Sequence, residues 1–221
     1  MIDYKGVIFD FNGTLFFDND KHILAWNEVS RLLRGHDISQ EELHERFNGT
    51  PNDQIIKYMT DGKASLEEVK NYSLKKEEFY RKFCKADKES FHLVKGVEEY
   101  FKWLKKNDIP YTIASASIRE NIDFFRKSFD LDDYIEPSKL VYDDGSYGDK
   151  IQMFLDAAKK INVNMKDVLI IEDSFSGIRN AYAAGCRKIL VVCEREKSAE
   201  YKKLPGVVGT MQDFEHIFDF F

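Results

Sequence analysis

The sequence predicts an α/β protein: a parallel sheet with helices on both faces, interrupted after its first strand by an inserted helical domain. Two observations carry this. Short, continuous apolar runs alternate with segments of helical period after residue 96, and strands apolar on both sides belong to covered parallel sheets. Between the first such run and the rest lies a stretch with helical spacing and no convincing strand. The expected division is residues 1–16 with 90–221 as the α/β core, and residues 17–89 as the helical domain.

The elements follow in order. Gly6–Phe11 is apolar without a helical period and runs into Asn12-Gly13-Thr14, which reads as a buried strand ending in a turn. Next come apolar residues at helical spacing: Ile23, Trp26, Val29 and Leu33; Leu43 and Phe47; Ile55, Ile56 and Met59; Val69, Leu74, Phe79 and Phe83. Ser39 and Ser65 each precede a glutamate by three residues, the signature of a capping box, so about four helices are expected. Beyond Gly96, a helix over Val97–Lys106 leads into a strand over Tyr111–Ser115 and a helix starting near Arg119. A helix over Lys150–Ile161 leads into a strand over Asp167–Ile171. A helix over Gly177–Ala184 then leads into a strand over Lys188–Cys193.

Bulk properties narrow the function classes. The 221 residues are 43% hydrophobic and 33% charged, as in a folded water-facing protein, and the net charge of −6 argues against nucleic acid as a partner. No apolar run approaches the roughly 18 residues of a membrane span, and the N-terminus lacks the pattern of a secretion signal. Cys84, Cys186 and Cys193 are widely spaced and match no metal-ligand pattern, so free thiols and a cytoplasmic location are expected. A monomer is expected, with a dimer allowed.

In an open parallel sheet, ligands bind beyond the carboxyl ends of the strands. Asp10, Asn12 and Thr14 follow the first strand, Ser115 and Ser117 the second, and Glu172 and Asp173 the third. Taken singly, each has a commonplace reading as a turn or cap residue. Lys150 heads a helix, where its charge opposes the helix dipole unless an anion lies between. Together these oxygen-rich strand ends and one lysine suit Mg²⁺ and a phosphate. Gly145–Lys150 is not a P-loop, because its glycine spacing is wrong and no Ser or Thr follows the lysine.

Asp10-Phe-Asn-Gly-Thr14, Ser115, Lys150 and Glu172-Asp173 ahead of Ser-Phe-Ser-Gly177 resemble, in order, the four motifs of the haloacid dehalogenase-like superfamily. The helical insertion resembles the α-helical cap of its β-phosphoglucomutase and phosphoglycolate phosphatase branch. The resemblance implies a Rossmann-like core and a Mg²⁺-dependent phosphohydrolase acting on a small phosphate ester through an aspartyl-phosphate. It implies Asp10 as nucleophile, and Asp10, the Asn12 carbonyl, Asp173 and Glu172 around the metal. Ser115 and Lys150 would grip the phosphoryl group, with Thr14 and Ser117 beside it.

The sequence departs from the family pattern at Asn12, where the family carries a second aspartate that protonates the leaving group. An amide cannot do this, and general acid–base help is worth roughly 10²–10⁴-fold. Three outcomes follow: a phosphohydrolase, a sugar phosphomutase, or a catalytically weak phosphate-binding protein. His22, beside Lys21 at the head of the first cap helix, is a candidate substitute acid, and Lys76 a candidate contact to a sugar or second phosphate. The Asn48-Gly-Thr-Pro51 turn lies where mutase-like relatives carry substrate loops, without the arginine expected of a phosphoglucomutase.

Overall fold

The computed structural model describes residues 3–47 and 50–221; Asn48 and Gly49 of the expected turn lie outside them. The chain forms two compact units, Met1–Phe17 with His92–Phe221, and Asp18–Phe91. In chain order, β1 (Gly6–Phe9) is followed by α1 (Asn19–Arg34), α2 (Gln40–Glu42), α3 (Asn52–Met59) and α4 (Leu66–Ala86). Then come α5 (Val97–Lys106), β2 (Tyr111–Ile118), α6 (Arg119–Ser128), β3 (Val141–Asp143) and α7 (Lys150–Lys160). The chain continues through β4 (Val168–Glu172), α8 (Phe175–Ala183), β5 (Ile189–Val192), α9 (Ser198–Tyr201) and β6 (Val207–Met211).

In the α/β unit the strands form one parallel sheet in the order β3-β2-β1-β4-β5-β6. Val7 lies opposite Tyr111 on one side and Leu169 on the other, so β1 is central. Each face of β1 is covered. Ile8 packs with Met153, Phe154, Ala157 and Ile178, while Phe9 meets Phe101 at 5.2 Å and Tyr100 at 5.9 Å, both edge-on. Every residue of β1, β4 and β5 is buried, which is why these strands read as uninterrupted apolar runs.

Two strands were not expected from the sequence. β3 is only three residues long, and β6 contains Gly209 and shifts register against β5, so neither presents a clear apolar run. The first strand also ends at Phe9 rather than Phe11. Asp10 still donates its backbone N–H to Ile171 (2.9 Å), but Thr14, Leu15 and Phe16 then all turn their N–H groups onto the Phe11 carbonyl.

The helical unit has its own core of Trp26, Val29, Phe47, Ile55, Ile56, Met59 and Val69. Both capping boxes form as expected, Ser39 with Glu42 and Ser65 with Glu68. Residues Leu43–Phe47 make a π-helical turn. Leu74 does not join the core; it is 44% exposed, and the buried face of α4 carries Val69, Lys76, Glu77, Tyr80 and Cys84 instead. A buried lysine–glutamate pair in place of apolar residues is the unit's least ordinary feature. No helix among the described residues is long and apolar enough to cross a membrane.

Candidate active site

The strand order reverses between β1 and β4, because the chain builds outward through β2 and β3 before returning to the other side of β1. This crevice is the switch point at which open α/β sheets bind ligands. Asp10 follows β1, Glu172 ends β4 and Asp173 follows it, so the topology brings three carboxylates together. One oxygen from each of Asp10, Glu172 and Asp173 lies within 4.8 Å of the others.

Lys150, the first residue of α7, sends its ammonium between two of them, 2.6 Å from Asp10 Oδ1 and 2.5 Å from Glu172 Oε1. The helix start is capped by Asp149, which accepts from the Ile151 and Gln152 N–H groups. The anions that relieve the lysine's position at a helix N-terminus are therefore the protein's own carboxylates. Burial opposes the ammonium's charge, but Asp10 and Glu172 outweigh it and hold Lys150 protonated above its usual range. Burial pushes the Asp10 carboxyl up, Lys150 pulls it back, and Glu172 adds a further rise, leaving a value of about 6.

Glu172 has no exposed surface. One oxygen takes Lys150; the other accepts from the Asp173 N–H (2.7 Å), the Ser174 N–H (2.7 Å) and Ser174 Oγ (3.1 Å). Burial would raise its pKa, yet Lys150 and these backbone donors prevail and hold it below the usual carboxylate range. The carboxylate rests against the start of α8, where a Cβ on Gly177 would lie 1.7 Å from Glu172 Oε1. Only a glycine leaves room there. The role of Ser174, which also caps α8 by accepting from the Gly177 N–H at 3.0 Å, was not singled out from the sequence. A serine directly after the acidic pair is the signal that would have marked it.

The turn after β1 is shaped for the same cluster. Gly13 has φ +76°, and a Cβ there would meet Asp173 Oδ2 at 2.3 Å. Thr14 is fully buried and donates to Asp173 Oδ1 at 3.4 Å, which makes it a support for that carboxylate. Across β1, Ser117 Oγ donates to Asn12 Oδ1 at 2.7 Å and Ser115 Oγ to the same oxygen at 3.4 Å. The Ser117 N–H in turn donates to Ser115 Oγ at 3.2 Å. Asp10, Asn12, Thr14, Ser115, Ser117, Lys150, Glu172 and Asp173 thus all belong to the α/β unit and converge at its switch point.

His22 and Lys76 belong to the helical unit and meet each other there. Lys76 Nζ lies 2.8 Å from His22 Nδ1 and 2.8 Å from Glu77 Oε1. An ammonium has only donors, so Nδ1 accepts and the ring proton sits on Nε2, 3.2 Å from Asp18 Oδ2. The His22 ring stacks on Tyr80 at 4.2 Å, and Tyr80 donates to Asp18. His22 and Lys76 border a cavity of about 250 Å³ whose lining also includes Trp26, Thr50 and Asn52. Lys21 is elsewhere: it is buried and ion-paired with Asp20 (2.5 Å) and Asp87 (2.6 Å), a tie within the helical unit. Asp18, Glu77 and Tyr80 were not read as site residues, since their partners lie on other turns and helices.

The buried Glu77 gives the helical unit a defined acid sensitivity. Burial would raise its pKa, but Lys76 foremost outweighs this and holds it at about 2, against 4.5 for an ordinary glutamate. A depressed carboxylate stabilises fully above pH 4.5 and loses that contribution as pH falls toward about 2, up to about 3 kcal/mol in all. In a Trp103→Phe background, where Trp26 reports on the helical unit, urea midpoints are expected to fall steeply through this window. Glu77→Gln should flatten the fall.

A doubly wound parallel sheet with an acidic cluster and an ion-paired lysine at its switch point, split by a helical insertion, defines an α/β enzyme class with a cap. The chain belongs to the haloacid dehalogenase-like hydrolases: the model described as "Haloacid dehalogenase-like hydrolase" matches residues 7–191. Among solved structures, a haloacid dehalogenase hydrolase of family IA, variant 3, from Entamoeba histolytica superposes with a TM-score of 0.88. It is 31% identical, over 96% of this chain and 94% of that one. Among curated proteins, a phosphorylated carbohydrates phosphatase from Thermotoga maritima is 26% identical over 84% of this chain and 83% of its own. A beta-phosphoglucomutase from Bacillus subtilis is also 26% identical, over 82% and 80%.

Proposed function

We propose that this protein is a Mg²⁺-dependent phosphohydrolase of a small phosphorylated metabolite, working through a phosphorylated Asp10. The observation that carries this reading is the buried Asp10 at the switch point, bound by Lys150 at 2.6 Å and grouped with Asp173. The donor set fits Mg²⁺, which takes a few carboxylates and carbonyls together with water and phosphate oxygens. The glycine at position 13 fits too, since any side chain there would displace the Asp173 carboxylate. Asp10, Asp173 and the Asn12 carbonyl would hold the ion. Once bound, it would neutralise charge on the phosphoryl oxygens.

The chain's own residues do the rest. The Asp10 carboxylate attacks phosphorus, and Lys150 balances the negative charge that gathers around it. Glu172, with both oxygens already occupied, fixes Lys150 and the turn leading into α8. In the helical unit, Lys76 and His22 are assigned to recognition of a phosphorylated small molecule. The likeness to a beta-phosphoglucomutase makes a sugar phosphomutase the second reading.

The test is phosphate release from a panel of sugar and aryl phosphates with Mg²⁺, and again after chelation. Release that stops on chelation and returns with Mg²⁺ supports the hydrolase. Interconversion of sugar 1- and 6-phosphates without release supports the mutase. Metal-independent turnover would overturn both.

A further inference from the structure

Asn12 occupies the position beside the nucleophile, and the structure shows how its amide is held. Ser117 Oγ at 2.7 Å and Ser115 Oγ at 3.4 Å both give their hydrogen bonds to Oδ1. Ser115 is itself buried and fixed by the Ser117 N–H. With the amide oxygen turned toward the β2 serines, the Nδ2 group is turned away from them. The residue at this position carries amide hydrogens, which donate hydrogen bonds but are not transferred as protons.

We infer that the site is matched to phosphoryl donors whose leaving group departs as a stable anion, namely acyl and aryl phosphates, and that Ser117 is the positioning residue that presents the Asn12 amide. The inference rests on the phosphohydrolase reading. In the first step an Asp10 oxygen bonds to phosphorus while the bond from phosphorus to the leaving oxygen breaks. The electron pair stays on that oxygen, which leaves as a carboxylate or phenolate without taking a proton. Water then attacks the aspartyl-phosphate, regenerating the Asp10 carboxylate and placing both its hydrogens on dihydrogen phosphate.

Magnitudes decide the substrate class. A hydrogen bond from a neutral donor is worth about a factor of ten or less, whereas proton donation by an acid is worth about 10²–10⁴-fold. A carboxylate, whose acid has a pKa near 4, needs no proton to leave. A sugar alkoxide, whose parent alcohol is about as weak an acid as water at about 15.7, does. An amide at position 12 therefore serves the first class and fails the second.

The experiment compares the intact chain with Asn12→Asp, Ser117→Ala and Ser117→Thr, each with Mg²⁺, on acetyl phosphate, 4-nitrophenyl phosphate, phenyl phosphate and glucose 6-phosphate. The ratio of the glucose 6-phosphate rate to the acetyl phosphate rate is expected to rise about 10²–10⁴-fold in Asn12→Asp. In Ser117→Ala the phenyl phosphate rate should fall relative to acetyl phosphate by up to about tenfold, and Ser117→Thr should restore it. A merely structural serine would lower all four rates together, which would overturn its positioning role. An unchanged ratio in Asn12→Asp would overturn the substrate class. So would ready glucose 6-phosphate turnover that His22→Ala removes, because a substitute acid would then be at work. If no chain hydrolyses any of the four compounds and none of them labels Asp10, the phosphohydrolase reading itself falls.

Discussion

Asp10→Asn is expected to abolish turnover while leaving the protein as stable as before or more so. In the proposed mechanism no phosphoryl group can be accepted without the carboxylate, and loss of a nucleophile typically lowers kcat by about 10⁴-fold or more. The stability side follows from charge. The buried cluster holds one ammonium, on Lys150, against two carboxylates, on Asp10 and Glu172. An asparagine keeps the size and removes the surplus negative charge, so the remaining lysine–glutamate pair balances. Asp10 titrates at about 6 in the fold against 3.8 for an ordinary aspartate, so its stabilising contribution is complete below pH 3.8 and lost as pH rises through about 6. Removing it is expected to raise the unfolding free energy at pH 7 by about 1–3 kcal/mol. Urea denaturation with parallel assays of phosphate release checks both halves, and a variant that still releases phosphate would sink the covalent mechanism.

Lys150→Met is expected to show the opposite balance, losing activity and stability together. Methionine fills much of the volume and keeps the contact with Phe154, over whose ring the ammonium now lies at 5.4 Å. It leaves two buried carboxylates facing each other with no cation. Breaking a buried ion pair from one side costs about 3–5 kcal/mol, and that is the destabilisation expected at pH 7. The deficit should shrink as the solution is acidified, because a proton on Asp10 then substitutes for the missing ammonium. A pH-independent deficit would show that Lys150 matters only through packing. Lys150→Arg should retain more stability than Lys150→Met but little turnover, since a guanidinium cannot occupy the same point between the two oxygens.

What the sequence made legible follows from burial. β1 and β4 were readable as continuous apolar runs because both of their faces are covered, and the strand-end rule then led directly to Asp10, Glu172 and Asp173. Lys150 was readable from its conflict with the helix dipole. What stayed hidden depends on partners far along the chain. That Glu172 also pairs with Lys150, accepts from Ser174 and rests against Gly177 is seen only in the fold. Thr14 and Asp173 meet only when two strands lie side by side. In α4 the apolar period suggested Leu74 for the core, whereas Lys76 and Glu77 are buried because they neutralise each other. β3 and β6 escaped notice since a three-residue strand and a glycine-containing one leave no periodic trace.

The central place of β1 also bears on how the chain reaches its native state. It precedes the other five strands of its sheet in the chain, yet its ladder partners are Tyr111–Ile113 and Val168–Ile171, far downstream. Such long-range pairing is slow, because the intervening chain must be closed before any contact rewards it. The helical unit, with a core made from its own residues, needs no such delay. Pulse-labelling hydrogen exchange during refolding should therefore find protection first in α1 and α4 and last in β1. Until β4 arrives, Val7, Ile8 and Phe9 form an adhesive segment, so refolding yield should fall as protein concentration rises.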